Sequence, residues 1–172
     1  VFDIRGDLYT AVKAWNDDPT SAEQEYGHIS TWNVSAITDM SALFMFNGRD
    51  ITDLDLNNWD VSNVTTMQQM FEGCDQLTSL NISGWRTRNV TNMHGLFNKC
   101  SSLTSLDVSS LDTTDVTTMH NMFRGCSSLT SLDVSNFNTR NVTDMTMMFA
   151  MLYDVTSLDV SDFNTSKVET MQ

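Results

Sequence analysis

The chain repeats itself along most of its length. Met40, Met67, Met93, Met119, Met145 and Met171 follow one another at a step of 27 residues and then of 26, and Phe44, Phe71, Phe97, Phe123 and Phe149 keep the same pace. Leu54, Leu80, Leu106, Leu132 and Leu158 form a third column. A fixed period of roughly 20–50 residues restricts a chain to architectures whose units lie against their neighbours, because one such unit cannot bury its own apolar face. The stretch Leu77 to Cys100, LTSLNISGWRTRNVTNMHGLFNKC, is the clearest copy.

Two periodicities alternate within that copy. Leu80 and Ile82 fall on one side of an extended segment and Ser79, Asn81 and Ser83 on the other, which predicts a half-buried strand. Val90, Met93, Leu96, Phe97 and Cys100 are then spaced by threes and fours, which predicts one apolar stripe on a short helix opening at Asn89 or Thr91. Asn63, Asp115 and Asn141 are the equivalent starts in other repeats. The period and the spacing Leu77-x-x-Leu80-x-Ile82 fit the leucine-rich-repeat pattern. The expected fold is therefore α/β, a leucine-rich-repeat-like, right-handed β/α solenoid of five ~26-residue repeats over residues 32–172, the last cut short.

Residues 1–31 lack the repeat and read as an N-terminal helical cap. Asp7 suits an N-cap, Leu8, Ala11, Val12 and Trp15 supply the apolar stripe, and Asp17-Asp18-Pro19 ends the helix. Ile29 and Trp32 align with Ile82 and Trp85, so residues 28–30 are expected as the stub of a first strand. At the other end Val168 to Met171 matches Val142 to Met145. An uncapped apolar repeat there implies either a longer array or end-to-end self-association.

A net charge of −13 over 172 residues argues against nucleic acid, which is held by clustered Lys and Arg. No apolar run approaches the ~18–20 residues of a membrane span, so no membrane insertion is expected. Cys74, Cys100 and Cys126 share one column and are expected to be buried thiols acting as small apolar groups. A rung spacing of ~4.8 Å leaves one disulfide pair open as the sharper alternative. Asn47 and Leu152 replace this cysteine column at its two ends, and Leu111 interrupts the aromatic column of Trp59, Trp85, Phe137 and Phe163, itself expected in the core.

The sheet face turned from the core supplies the candidate binding residues. Ser79, Ser105, Ser131 and Ser157 form one column, and Asp55, Asn81, Asp107, Asp133 and Asp159 a second. Neighbouring carboxylates at rung spacing repel, so the ladder would welcome cations, and calcium is the cation whose oxygen ligands these are. Otherwise no cofactor is expected. The bland alternative is that Ser and Asp keep an exposed sheet soluble. His94 and His120 share a column on adjacent repeats; without an evident third ligand they read as surface histidines rather than a metal site. Arg5-Gly6-Asp7 and the Asn-x-Ser/Thr tripeptides at Asn33, Asn63, Asn81, Asn89, Asn141 and Asn164 read as capping and turn chemistry rather than as recognition or glycosylation signals. No nucleophile-base pair, phosphate loop or paired-acid signature is present, and the chain is expected not to be an enzyme.

Taken together, the recurring W/F-x-V/T-x-x-V-T-x-M-x-x-M-F-x-x-C-x-x-L-T-S-L-D-V-S from Trp32 to Met171 resembles the BspA-like leucine-rich-repeat surface proteins of bacteria and some protists. The resemblance implies an extracellular or cell-surface protein that adheres to proteins, cells or surfaces, and supplies no catalytic residues. The expected function is a non-enzymatic extracellular binding or adhesion module with a protein or glycan partner. A structural spacer, or a cation-dependent glycan-binding module, are the alternatives.

Overall fold

The computed structural model describes residues 1–45 and 51–171, so Asn47 lies outside the described residues. The chain opens with α1 (Arg5–Asp17), which buries Leu8, Ala11, Val12 and Trp15 along one face. Ile4 occupies its N-cap position with no side-chain hydrogen bond, and Asp7 sits inside the first turn. There its carboxylate favours the positive end of the helix dipole without closing the helix start, which corrects the expected cap. Asp18 does more than end α1. Its Oδ1 accepts from the Thr20 and Ser21 N–H groups at 3.1 and 3.3 Å and so caps a second helix, α2 (Pro19–Tyr26), with proline at the position where a missing N–H costs nothing. Residues Ile29–Thr31 form a single 3-10 turn in place of the expected strand stub.

The leucine-rich-repeat β/α solenoid does not form. Among the described residues strand pairing is confined to β1 (Asp53–Asp55) and β2 (Ser79–Asn81), parallel and in register Asp53 to Ser79, Leu54 to Leu80 and Asp55 to Asn81. Among the described residues no helix follows either strand. Where a helix was expected from Val90 to Cys100 there is a run of four-residue turns: the N–H of Leu96 donates to Met93 O, that of Asn98 to Gly95 O and that of Cys100 to Phe97 O.

The reason is a left-handed residue at two places in each repeat. Gln69, Gly95 and Asn121 have φ of 56°, 60° and 56°, and Gly73, Lys99 and Gly125 have φ of 74°, 61° and 74°. A right-handed helix cannot pass through such residues, whereas a positive φ at the third residue of a turn is the mark of type II. Each turn places its first and fourth residues inward, as Met93 with Leu96 and Phe97 with Cys100, all four buried. Spacings of three and four therefore arise without a helix.

These turns also aim every other N–H at the neighbouring repeat. Met67, Gln69, Phe71 and Gly73 donate to the carbonyls of Asn92, His94, Leu96 and Asn98 at 3.0, 2.7, 3.0 and 2.8 Å. Met93, Gly95, Phe97 and Lys99 donate in the same way to Thr118, His120, Met122 and Arg124. Single-residue parallel bridges join Asp39, Thr66, Asn92, Thr118, Asp144 and Thr170 in a row beside them.

Inside, Phe44, Phe71, Phe97, Phe123 and Phe149 stack with ring centroids 5.3, 5.8, 5.7 and 6.0 Å apart. Trp59 and Trp85 are buried against this column, each indole N–H donating to a carbonyl one repeat back, Ile29 O and Leu56 O. Cys74, Cys100 and Cys126 are free and buried. Their thiols donate to the carbonyls of Phe44, Phe71 and Phe97 at 3.4, 3.2 and 3.0 Å. Burial pushes the Cys74 and Cys126 thiols up to about 12 and Cys100 well above its ordinary value.

Two outcomes are expected. Gly125→Ala places a Cβ on a left-handed backbone and lowers unfolding stability by about 1 kcal/mol, whereas Gly6→Ala, with open space around it in α1, raises it by about 0.5 kcal/mol, both read from urea denaturation. Secondly, the three thiols resist a thiol-specific reagent at pH 8 while the chain is folded, and all react once it is unfolded in urea.

Candidate functional site

Ser79, Ser105, Ser131 and Ser157 and the residues Asp55, Asn81, Asp107, Asp133 and Asp159 are all exposed. The structure gives the second column a local task that spacing did not reveal. The Oδ1 of Asp55, Asn81, Asp107, Asp133 and Asp159 accepts from the backbone N–H two residues on, at 3.1, 3.2, 2.9, 3.0 and 2.9 Å. Each is an Asx turn, in which the side chain stands in for a backbone acceptor. Elsewhere in the repeat Asp60, Asp112, Asn138 and Asn164 make the same bond. So do Asp39, Asn92 and Asp144. Turn chemistry thus accounts for much of the acidity of the chain.

Hydrogen bonds from Ser109 hold the Asp107 carboxyl below the usual carboxylate range, against a weaker repulsion from Asp133. Those from Ser135 and Ser161 do the same for Asp133 and Asp159. Asp107, Asp133 and Asp159 are therefore ionised at neutral pH, each with one carboxylate oxygen held in its turn. Between two repeats Ser105, Asp107, Ser109, Ser131, Asp133, Ser135 and Asn136 line a groove of about 310 Å³. Asn136 braces one side of it, its amide donating to Val108 O, Ser109 O and Leu111 O. Among the described residues no three His, Cys, Asp or Glu side chains are placed to hold one metal ion.

The other sequence signals have structural uses. The Asn63, Asn89 and Asn141 amides donate to Ser35 O, Ser62 O and Thr114 O of the preceding repeat at 2.9, 2.7 and 3.0 Å, so the helix starts expected at these positions are inter-repeat ties. The Arg5-Gly6-Asp7 tripeptide lies in the first turn of α1, where Arg5 donates to Ser41 O and its Nε stands 3.6 Å from Asp39. Near the end of the described residues Met145, Met147, Phe149, Leu158, Phe163 and Met171 line an apolar cleft of about 400 Å³.

Residues 10–106 and 101–172 each match the family model described as Mycoplasma protein of unknown function, DUF285. The chain belongs to the DUF285 family. No curated protein and no solved structure matches it. In this DUF285 chain the histidine pair expected from the shared column, His94 and His120, is joined by Asp144, a residue of the next repeat but in a different column that the spacing did not point to. The imidazole centroids are 4.8 Å apart, and His120 Nδ1 is 3.2 Å from Asp144 Oδ2. Only contact between repeats brings these residues together.

Removing a turn acceptor is expected to be measurable. Asp107→Ala lowers stability by roughly 0.5–1 kcal/mol at pH 7, whereas Asp107→Asn keeps the acceptor and stays within about 0.3 kcal/mol of the parent. Because folding lowers the Asp107 pKa, its contribution is present above the ordinary value of 3.8 and is lost as pH falls through the folded value. Urea melts at pH 7 and pH 3 check both the ranking and its collapse in acid.

Proposed function

We propose that this chain is a non-enzymatic binding module that acts outside the cell and recognises protein or glycan through its exposed Ser and Asp columns. The observation that carries the reading is the groove between Asp107 and Asp133, whose Ser and Asp lining recurs at the next repeat, with Asp162 in the place of Asn136. Equivalent polar sites at a fixed interval suit weak contacts made several at a time, which together give far higher avidity than one alone. The Trp, Tyr and Arg that anchor tight protein interfaces are missing from the groove lining. The resemblance to BspA-like surface proteins supports both the adhesive role and the extracellular placement. Calcium enters as a bridging ion, drawn to the exposed aspartates of the column and completing its shell with oxygens of the partner.

A specific observation favours a second reading, that of a structural spacer. Every aspartate of the column is already engaged in its own turn, and a face so engaged holds the fold whether or not anything docks on it.

The deciding experiment is binding of the immobilised chain to a panel of matrix proteins and glycans, with and without millimolar calcium, beside the Asp107→Asn/Asp133→Asn variant. Asparagine keeps the turn acceptor and removes the charge, so loss of binding is separable from loss of fold. Saturable binding that the variant loses is the expected result. Absence of binding by the folded parent favours the spacer, and binding that the variant retains moves the site off this face.

A further inference from the structure

Apart from the Ser and Asp columns, His94, His120 and Asp144 link three consecutive repeats, and a buried acidic residue, Glu72, lies beside Gly95 and close enough to act on His94. The two imidazoles are in contact but tilted, with planes 33° from parallel. Asp144 is held at about 2: burial alone would raise it, but hydrogen bonds from the Thr146 backbone and hydroxyl, from Thr170 and from His120 outweigh that cost. An ionised carboxylate only accepts, so His120 Nδ1 carries the hydrogen of the 3.2 Å bond. Glu72 is 8 % exposed and accepts from Gln69 Nε2 at 2.6 Å and Asn98 Nδ2 at 3.0 Å. The titratable groups facing His94 are thus His120, Glu72 and Asp144.

This arrangement treats a first and a second proton differently. One positive charge on the imidazole pair is welcome beside the ionised Asp144, which His120 contacts directly. A second would put two positive rings in contact, half-buried, where solvent screens them poorly. Desolvation, and next the charge of His120, lower the His94 pKa, with Glu72 and Asp144 opposing. The backbone of the same two residues is structural: His94 O accepts the Gln69 N–H at 2.7 Å and His120 O the Gly95 N–H at 2.8 Å. Ring displacement therefore bears directly on bonds that join the repeats.

We propose that His94 and His120, flanked by Glu72 and Asp144, form an acid-sensitive contact between consecutive repeats, in which a second proton drives the rings apart and loosens the backbone bonds at Gln69 and Gly95. The direction follows from linkage. A histidine whose folded pKa is lowered binds fewer protons than its unfolded counterpart, so stability falls as pH drops through the ordinary value of 6.5 and levels off below the folded value. Asp144 adds a separate loss lower down, between its ordinary 3.8 and about 2.

The test is an NMR titration of the imidazoles in the whole chain, with amide exchange followed at Gln69 and Gly95. The pair is expected to titrate in two steps at least about one pH unit apart, with the His94 midpoint below 6.5 and moving up toward it in His120→Gln. Protection at Gln69 and Gly95, corrected for intrinsic exchange, drops between pH 7 and pH 5 in the parent and stays level in His94→Gln. A single His94 step near 6.5 that ignores His120→Gln overturns the proposal, as does protection that is independent of pH. If His120→Gln fails to fold, the pH dependence of urea melts in parent and His94→Gln decides alone: a loss between pH 7 and pH 5 that persists without His94 also overturns it.

Discussion

Everything in this molecule depends on where the backbone N–H groups of residues such as Met67, Gln69, Phe71 and Gly73 point. In a helix all of them would bond within their own segment. Here the left-handed residues Gln69 and Gly73 break the segment into turns, so alternate groups are released toward the next repeat and meet its carbonyls at 2.7–3.0 Å. One conformational feature therefore closes each turn and joins each repeat to its neighbour. Glycine meets the left-handed requirement at Gly73, Gly95 and Gly125, whereas Gln69, Lys99 and Asn121 accept it as strain that the surrounding bonds hold in place.

With that bonding in place the side chains fall into stacked columns. Phenylalanine rings at 5.3–6.0 Å form the centre, the tryptophan N–H groups reach back one repeat, and the thiols do the same. The buried hydroxyls of Thr87 and Thr113 likewise donate to carbonyls of the adjacent repeat, Asp112 O and Asn138 O. The acidic surface is another face of the same construction, because Asp and Asn at the corners supply the acceptors that short turns need. A carboxylate that stabilises its own turn, as at Asp107, Asp133 and Asp159, still belongs to an exposed residue. Structural economy and a repetitive, charged binding face are thus compatible in the same residues.

Much of this was legible in the chain, and the rest was hidden for identifiable reasons. The columns of Phe71, Phe97 and Phe123 and of Cys74, Cys100 and Cys126 are buried, as fixed-period repetition implies. The helix was misread because first and fourth residues of successive turns reproduce the spacing of an apolar helical stripe, and hydrophobicity alone cannot separate them. Lys99 and Asn121 carry no glycine to advertise a left-handed backbone. The second helix was hidden because Asp18 and Pro19 serve equally well as a stop signal or as the cap and first residue of a new helix. At the candidate face the sequence placed Asp107 and Asp133 on the surface correctly, but their turn bonds and the groove between them required coordinates.

The sequence by itself determined the period of the repeat, which residues share a column and which columns are apolar, since these follow from composition at fixed intervals. Only the tertiary structure decided that the segments between columns are turns rather than helices, and that Asp144 meets His120 across two columns. The physical reason is common to both. Whether a backbone group bonds within its own repeat or to the next, and which side chains of different columns touch, depends on the partner across the interface, and that partner is fixed only when the repeats are in contact.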